Sequence, residues 1–206
     1  MKYPALINDR PHITIFIGRK GSGKTALLLR LLKCQDGYKK IYQDITIVSP
    51  TFKLQECWKS LSAEGITVYE ALTDELLEKL HNSQSPMTSS LIIFDDNGDQ
   101  LRRCNPAILN KLVSNSRHLN CSMIFLQQKL TQLPTVIRAQ FDVGLFFSAC
   151  SYRETEALWA EIGILEKKRF FEIFRDATRE QYGFFCVSML NGKLRFFKNL
   201  THEYNK

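Results

Sequence analysis

The stretch Gly18-Arg19-Lys20-Gly21-Ser22-Gly23-Lys24-Thr25 decides how the rest of the chain is read. It meets the spacing G-x-x-x-x-G-K-[ST] at every fixed position, and its flanks carry as much weight as its letters. Residues 12–17 before it are apolar enough for a buried strand. Residues 25–33 after it hold the helical run Ala26-Leu27-Leu28-Leu29-Arg30-Leu31-Leu32. Strand, glycine-rich turn and helix in that order build a phosphate cradle. The glycines let the chain curl until successive backbone N–H groups face one point, and the helix N-terminus adds its partial positive charge there. Gly18, Arg19, Lys20, Gly21, Ser22 and Gly23 are therefore expected to wrap the phosphates of a nucleotide. Lys24 is expected to neutralise the β- and γ-phosphates, and the Thr25 hydroxyl to ligate Mg2+.

Such a loop needs a second carboxylate to hold the metal's water shell. Leu91-Ile92-Ile93-Phe94-Asp95-Asp96 supplies one at the end of an apolar strand, the end where parallel sheets keep their ligand crevice. Asp95 is the expected metal-side carboxylate, and Asp96 would polarise the attacking water, a task often done by glutamate. Asp-Asp-Asn-Gly also suits an ordinary turn, and that reading stays open beside the functional one.

A further apolar strand, Ser122-Met123-Ile124-Phe125-Leu126, ends in Gln127-Gln128. A glutamine here emerges beside the γ-phosphate, where it would orient water and sense hydrolysis. Strand alternation sends one of the pair inward, and Gln128 is the choice; a solvated loop glutamine is the plain alternative. Arg117 and His118 lie at the other end of the same strand. Five or six residues at about 3.3 Å each put Arg117 about 20 Å from its own γ-phosphate. A catalytic Arg117 would therefore serve a neighbouring copy as an arginine finger within a ring or filament. Otherwise it is a surface arginine. Arg138, downstream of Pro134, is a second finger candidate, and His118 reads as a local hydrogen-bonding residue.

Outward from these motifs, short apolar runs alternate with helix-length amphipathic segments. Strands are expected at 45–49, 66–69, 91–94, 122–126 and 143–147, and helices at 53–61, 73–81, 106–115, 153–161 and 166–174, with a polar loop at 82–90. Residues 184–190 and 194–197 around Asn191-Gly192 read as a β-hairpin. This is the pattern of an α/β fold with a mostly parallel sheet flanked by helices. Residues 1–206 are read as a single domain, with a core at about 12–150 and helices plus an appended hairpin at about 151–200.

With 206 residues, 44% hydrophobic and 24% charged, a mainly disordered chain is excluded. No apolar run approaches the roughly 20 residues of a membrane span. The opening Met1-Lys2-Tyr3-Pro4, soon followed by Asn8, Asp9 and Arg10, is not expected to be a signal peptide. Lys and Arg exceed Asp and Glu by 28 − 21 = +7, which permits a polyanionic partner without requiring one. Cys34, Cys57, Cys104, Cys121, Cys150 and Cys186 are scattered without a C-x-x-C pair, so reduced structural thiols are expected rather than zinc ligands.

GRKGSGKT, LIIFDD and SRHLNCSMIFLQQKLTQLPTVIRAQFDVGLFF together resemble the FtsK–HerA superfamily. Within it, the chain is most similar to the small genome-packaging ATPases of poxviruses, other large DNA viruses, virophages and icosahedral archaeal viruses. The succession Arg117, His118, Gln128, Pro134 and Arg138 is the most specific part. Matching regions cover 12–33 and 88–150, and the C-terminal third adds only a general likeness. The resemblance implies a RecA-like P-loop NTPase fold and a homo-oligomeric ring, a hexamer or pentamer. It also implies ATP hydrolysis with Mg2+, driving double-stranded DNA into a preformed capsid through a capsid or portal-vertex protein. The setting it implies is the host cytoplasm, a viral factory or the virion, not secretion.

Family roles fall on Lys24 and Thr25 for ATP and Mg2+, Asp95 and Asp96 for the acidic pair, Gln128 as sensor and Arg117 as the finger in trans. Many cellular relatives carry glutamate where this chain has Asp96, and the extra membrane and DNA-reading domains of cellular translocases are not seen. Arg102, Arg103, Lys167, Lys168 and Arg169 are candidate DNA contacts, each cluster equally readable as a solvated face.

Other classes share the loop. A nucleotide or small-molecule kinase needs an acceptor pocket and an arginine-rich lid, and the Asp95-Asp96 pair with the Gln128 strand argues against it. Asn110-Lys111-Leu112-Val113 starts like a guanine-reading motif but lacks its aspartate, and no Leu-Ser-Gly-Gly-Gln segment of an ABC-type ATPase is present. A nucleotide-gated scaffold with little turnover remains the third reading.

Overall fold

A computed structural model of the chain describes residues 10–34, 37–54, 58, 65–148, 151–163 and 165–205. The apolar runs become strands β1 (Ile13–Ile17), β2 (Asp44–Val48), β3 (Thr67–Tyr69), β4 (Ser90–Asp95), β5 (Cys121–Gln127) and β6 (Val143–Phe147). The last part of the chain adds β7 (Phe184–Ser188), β8 (Arg195–Lys198) and β9 (His202–Tyr204). All nine lie in one sheet, in the order β3-β2-β4-β5-β1-β6-β7-β8-β9. Pairing is parallel from β3 through β6 and antiparallel from β6 to β9.

Every residue of β1, β4 and β5 is buried, which is why these strands read as unbroken apolar runs. Burial on both sides needs a layer on each. On one side helices Asp74–Ser83, Pro106–Asn115 and Lys167–Ala177 bring Leu77, Leu112 and Phe170 down on Ile15, Met123 and Phe125. On the other, helix Lys24–Lys33 packs Leu28, Leu31 and Leu32 with Trp58 and Tyr38 against Phe16, Ile124 and Leu126. Strand alternation divides β1 between the two layers, Ile13, Ile15 and Ile17 against Phe16.

The α/β architecture and the expected strands are present, with ends shifted by a residue or so. Three expectations change. Residues Phe52–Leu54 form a 3₁₀ turn at the start of the span where a helix over 53–61 was expected; Trp58 is helical, and the other residues of that span lie outside the described residues. Short helices Tyr38–Ile41, Gly98–Arg103 and Thr135–Gln140 occupy segments that gave no helical signal, because four to six residues cannot show a 3.6-residue period.

The C-terminal hairpin is not an appendage. β7 pairs along the whole of β6, Phe146 opposite Phe185, so the last strands extend the main sheet. Cys34, Cys104, Cys121 and Cys186 are free thiols, while Cys57 and Cys150 lie outside the described residues. Among the described residues no helix is long and apolar enough to cross a membrane.

Candidate active site

The chain leaves β1 at Ile17 and turns at once. The Gly18 N–H donates to the Gln127 carbonyl at 3.1 Å, pinning the loop to the end of β5. No larger residue fits at Gly18: a Cβ would stand 2.6 Å from the Phe147 Cβ and 2.8 Å from the Ser22 hydroxyl. Gly21 and Gly23 take φ of 78° and 97°, the left-handed curl that aims backbone N–H groups inward. Helix Lys24–Lys33 then begins with no acidic residue in its first turn, so its dipole meets no compensating charge there.

Lys24 Nζ donates to the loop's own carbonyls, Gly18 at 2.5 Å and Arg19 at 3.1 Å. Burial pulls its pKa below the ordinary lysine value, against the opposing charges of Asp95 and Asp96. The Ser22 hydroxyl is buried without a hydrogen-bond partner among the described residues. A loop with an orphaned hydroxyl, inward amides and a lysine resting on carbonyls fits a phosphate chain.

Asp95 ends β4 and is buried. Its Oδ2 accepts from Trp58 Nε1 at 3.1 Å and from Ser49 Oγ at 3.3 Å. Burial raises its pKa and the neighbouring Asp96 charge adds to the rise, while Trp58, Ser49 and Lys24 oppose it. Its other oxygen and the Thr25 hydroxyl are hard oxygen donors, the set Mg2+ prefers.

Asp96 is exposed, sits at φ 55°, and ties back through its N–H to the Leu126 carbonyl at 3.0 Å. Gln128 Nε2 donates to both its carboxylate oxygens, at 3.3 and 3.5 Å. Gln127 points the other way and is buried, its amide atoms without partners among the described residues. Its Oε1 lies 2.7 Å from where a Cβ on Gly98 would stand, so Gly98 makes room for it. Lys24, Asp95, Asp96 and Gln128 thus gather where β1, β4 and β5 end.

Arg117 does not join them. It stands at the opposite end of the sheet, its Nη2 donating to Asp142 Oδ1 at 2.6 Å, while Asp142 Oδ2 accepts the Ile13 N–H at 2.9 Å. Arg138 is engaged within its own chain, with Glu161 at 2.7 Å and the Leu133 carbonyl at 3.2 Å. His118 is exposed. Of the basic clusters, Arg102 pairs with Asp99, Arg169 with Glu172 and Lys167 with Glu156, the last also lying over the rings of Tyr152 and Trp159. Arg103 and Lys168 are exposed.

Two features escaped the sequence. Trp58 and Ser49 hold Asp95. Ser49 could have been found, since β2 and β4 run in register to Val48 opposite Phe94, which sets Ser49 beside Asp95. Trp58 gave no signal. The second feature is a cleft of about 820 Å3 that opens beside the loop, walled by helix residues Ala26, Leu27 and Arg30 and, from the C-terminal strands and the turns that flank them, by Tyr182, Phe184 and Asn199–Thr201.

The Poxvirus A32 protein family matches residues 2–189. The DNA packaging protein OPG160 of variola virus is 30% identical over 139 residues, 63% of this chain and 50% of that protein. Protein 015R of frog virus 3 is 20% identical over 187 residues, 87% of this chain and 56% of the relative. The chain spans about half the length of the curated relatives it matches. Among solved structures, the genome packaging NTPase B204 of Sulfolobus turreted icosahedral virus 2, in complex with AMP, superposes with a TM-score of 0.67. It is 21% identical, over 92% of this chain and 98% of that one. At that identity the likeness is one of fold.

Proposed function

The chain belongs to the Poxvirus A32 protein family, and from that premise we propose that it hydrolyses ATP with Mg2+ to drive double-stranded viral DNA into a preformed capsid. The observation that carries this reading is the meeting of Lys24, Asp95 and Asp96 at the ends of β1 and β4, with Gln128 on the Asp96 carboxylate. A kinase or a bare scaffold has no need for a second carboxylate already engaged by a glutamine.

In this reading the loop amides of 18–23 bind the phosphates. Lys24 leaves the Gly18 and Arg19 carbonyls for the β- and γ-oxygens. Thr25 and Asp95 would hold Mg2+, which would supply charge neutralisation on the phosphates. Asp96 accepts the proton of the attacking water, and Gln128 holds that carboxylate and the water in line. Asp95, buried and held through its Oδ2 by Trp58 and Ser49, is left to the metal side.

Arg117 is too far to reach its own γ-phosphate and completes the site of the next copy in a ring. Six or five copies around a duplex would grip phosphates without reading bases, and the +7 charge suits that task. The capsid or its portal vertex receives the DNA, in the infected cell's cytoplasm or viral factory.

The test is ATPase activity with and without duplex DNA. Turnover should rise on adding DNA and fall by about 100-fold or more in Lys24→Ala. Phosphate transfer to a nucleoside acceptor with no response to DNA would replace the motor with a kinase. Tight ATP binding without turnover would leave a scaffold.

A further inference from the structure

The cleft beside the phosphate loop does not end at the phosphates. From Gly21 it continues along helix Lys24–Lys33 past Ala26, Leu27 and Arg30. Thr25 to Arg30 is about 7.5 Å at 1.5 Å per residue, enough to carry a ribose and a base beyond the phosphates. The far wall comes from the other end of the chain. Phe147 and Phe184 meet there with ring centres 5.0 Å apart and planes tilted by 40°, giving it an apolar floor where β6 meets β7.

Tyr182 is the odd residue of that wall. Its φ is 63°, a left-handed conformation that side chains rarely adopt. It is 60% exposed, so the core does not hold it. Yet its ring edge lies 3.1 Å from where a Cβ on Gly23 would stand, against the loop itself. An aromatic ring kept in an unfavourable backbone conformation, facing water, at the rim of a phosphate cradle, does little for the fold and a good deal for a flat ligand.

Asn199 adds a polar group of one sign. Its N–H donates to the Phe184 carbonyl at 2.9 Å, and its Oδ1 accepts the Phe184 N–H at 3.2 Å. With the oxygen turned to the Phe184 N–H, the amide also has N–H donors to offer a ligand, and these suit ring nitrogens such as those of a purine.

We propose that the outer half of this cleft is a purine-base subsite in which the base stacks on Tyr182 and is met by the Asn199 amide. The C-terminal strands then form half of the nucleotide site. The proposal rests on the reading that the loop binds a triphosphate, and the experiment must separate the two.

Inorganic tripolyphosphate does so, because it offers the phosphates without the base. Dissociation constants for ATP, CTP and tripolyphosphate are measured by calorimetry on the wild type, Tyr182→Ala, Tyr182→Trp and Lys24→Ala. Tyr182→Ala should weaken ATP about 10-fold and CTP less, since a single ring stacks over less area. It should leave tripolyphosphate within about twofold, which also certifies the fold. Tyr182→Trp should keep ATP near the wild-type value, and Lys24→Ala should lose all three.

Unchanged or tighter ATP binding in Tyr182→Ala would overturn the subsite, and so would equal losses of ATP and tripolyphosphate. Equal losses of ATP and CTP would overturn its purine assignment. Tripolyphosphate binding no better to the wild type than to Lys24→Ala would instead remove the phosphate-loop reading beneath it.

Discussion

In the proposed function Asp95 meets two opposed demands: it must be charged to hold a metal, and it is buried where charge is costly. Trp58 and Ser49 hydrogen-bond it, yet burial still raises its pKa from the ordinary value. Between the ordinary and the raised value, the folded chain keeps a proton that the unfolded chain has released. Stability therefore falls as pH rises through that window and stays lower above it. Asp95→Asn should melt higher than the wild type at neutral pH in the absence of metal, the advantage vanishing in acid. Its Mg2+-dependent ATP hydrolysis should fall about 100-fold. Thermal melts across pH, beside the ATPase assay, check both halves, and a lower melting point at neutral pH would show the charge to be well solvated.

His12 gives the opposite sign. Buried, with its Nδ1–H donating to the Arg10 carbonyl at 3.0 Å, it has a pKa below 6.5, chiefly from burial, although Arg10 and Asp142 pull it up. As pH drops below 6.5 the unfolded chain takes a proton that the folded one refuses, so stability is lost in acid, by up to about 1.4 kcal/mol per pH unit. Urea unfolding between neutral and mildly acid pH should show that slope, and His12→Asn should flatten it.

At the scale of elements, the helix after the loop ties the site to the core. Its inner face is Leu28, Leu31 and Leu32, all fully buried against the sheet. Leu31→Ala should cost about 2–5 kcal/mol in denaturant unfolding and leave a cavity between this helix and the sheet. A loss below about 0.5 kcal/mol would mean that the layer collapses to fill it.

The sequence revealed this helix, and strands β1, β4 and β5, because elements buried on all sides cannot hide their composition. It revealed the parity of Gln127 and Gln128 because strand alternation has only two outcomes. It did not reveal β9, whose His202-Glu203-Tyr204 is polar and takes its place by pairing with β8, Glu203 meeting Arg195. Nor did it reveal that 184–197 joins the sheet. Two apolar runs around Asn-Gly satisfy a hairpin locally, and only the register of Phe147 against Phe184 shows the edge it extends. Tyr182 beside Gly23 and Trp58 on Asp95 are contacts between distant segments, which no local pattern encodes.

At the scale of the molecule, the proposed function divides between the two ends of the sheet. The C-terminal ends of β1, β4 and β5 hold Lys24, Asp95, Asp96 and Gln128. The N-terminal ends hold Arg117, whose side chain is 69% exposed, against Asp142, which is 13% exposed and anchored by the Ile13 N–H. A mobile cation on a fixed carboxylate can leave for a stronger anion without disturbing the fold, since an exposed pair contributes little. That arrangement suits an arginine that acts on a neighbour in the proposed ring. Arg117→Ala rings should lose most ATP turnover, on the order of 10³-fold for a lost arginine finger, while still binding ATP. Lys24→Ala rings should fail to bind it. Mixed rings place an intact loop beside an intact finger wherever a Lys24→Ala subunit follows an Arg117→Ala subunit in the right sense. Activity should therefore reappear on mixing, to roughly a quarter of the wild-type level at equal proportions if neighbours assort at random. Crosslinking or mass measurement must show that the mixed rings form. If they form and stay inactive, Arg117 serves its own chain's fold through Asp142, and the finger lies elsewhere.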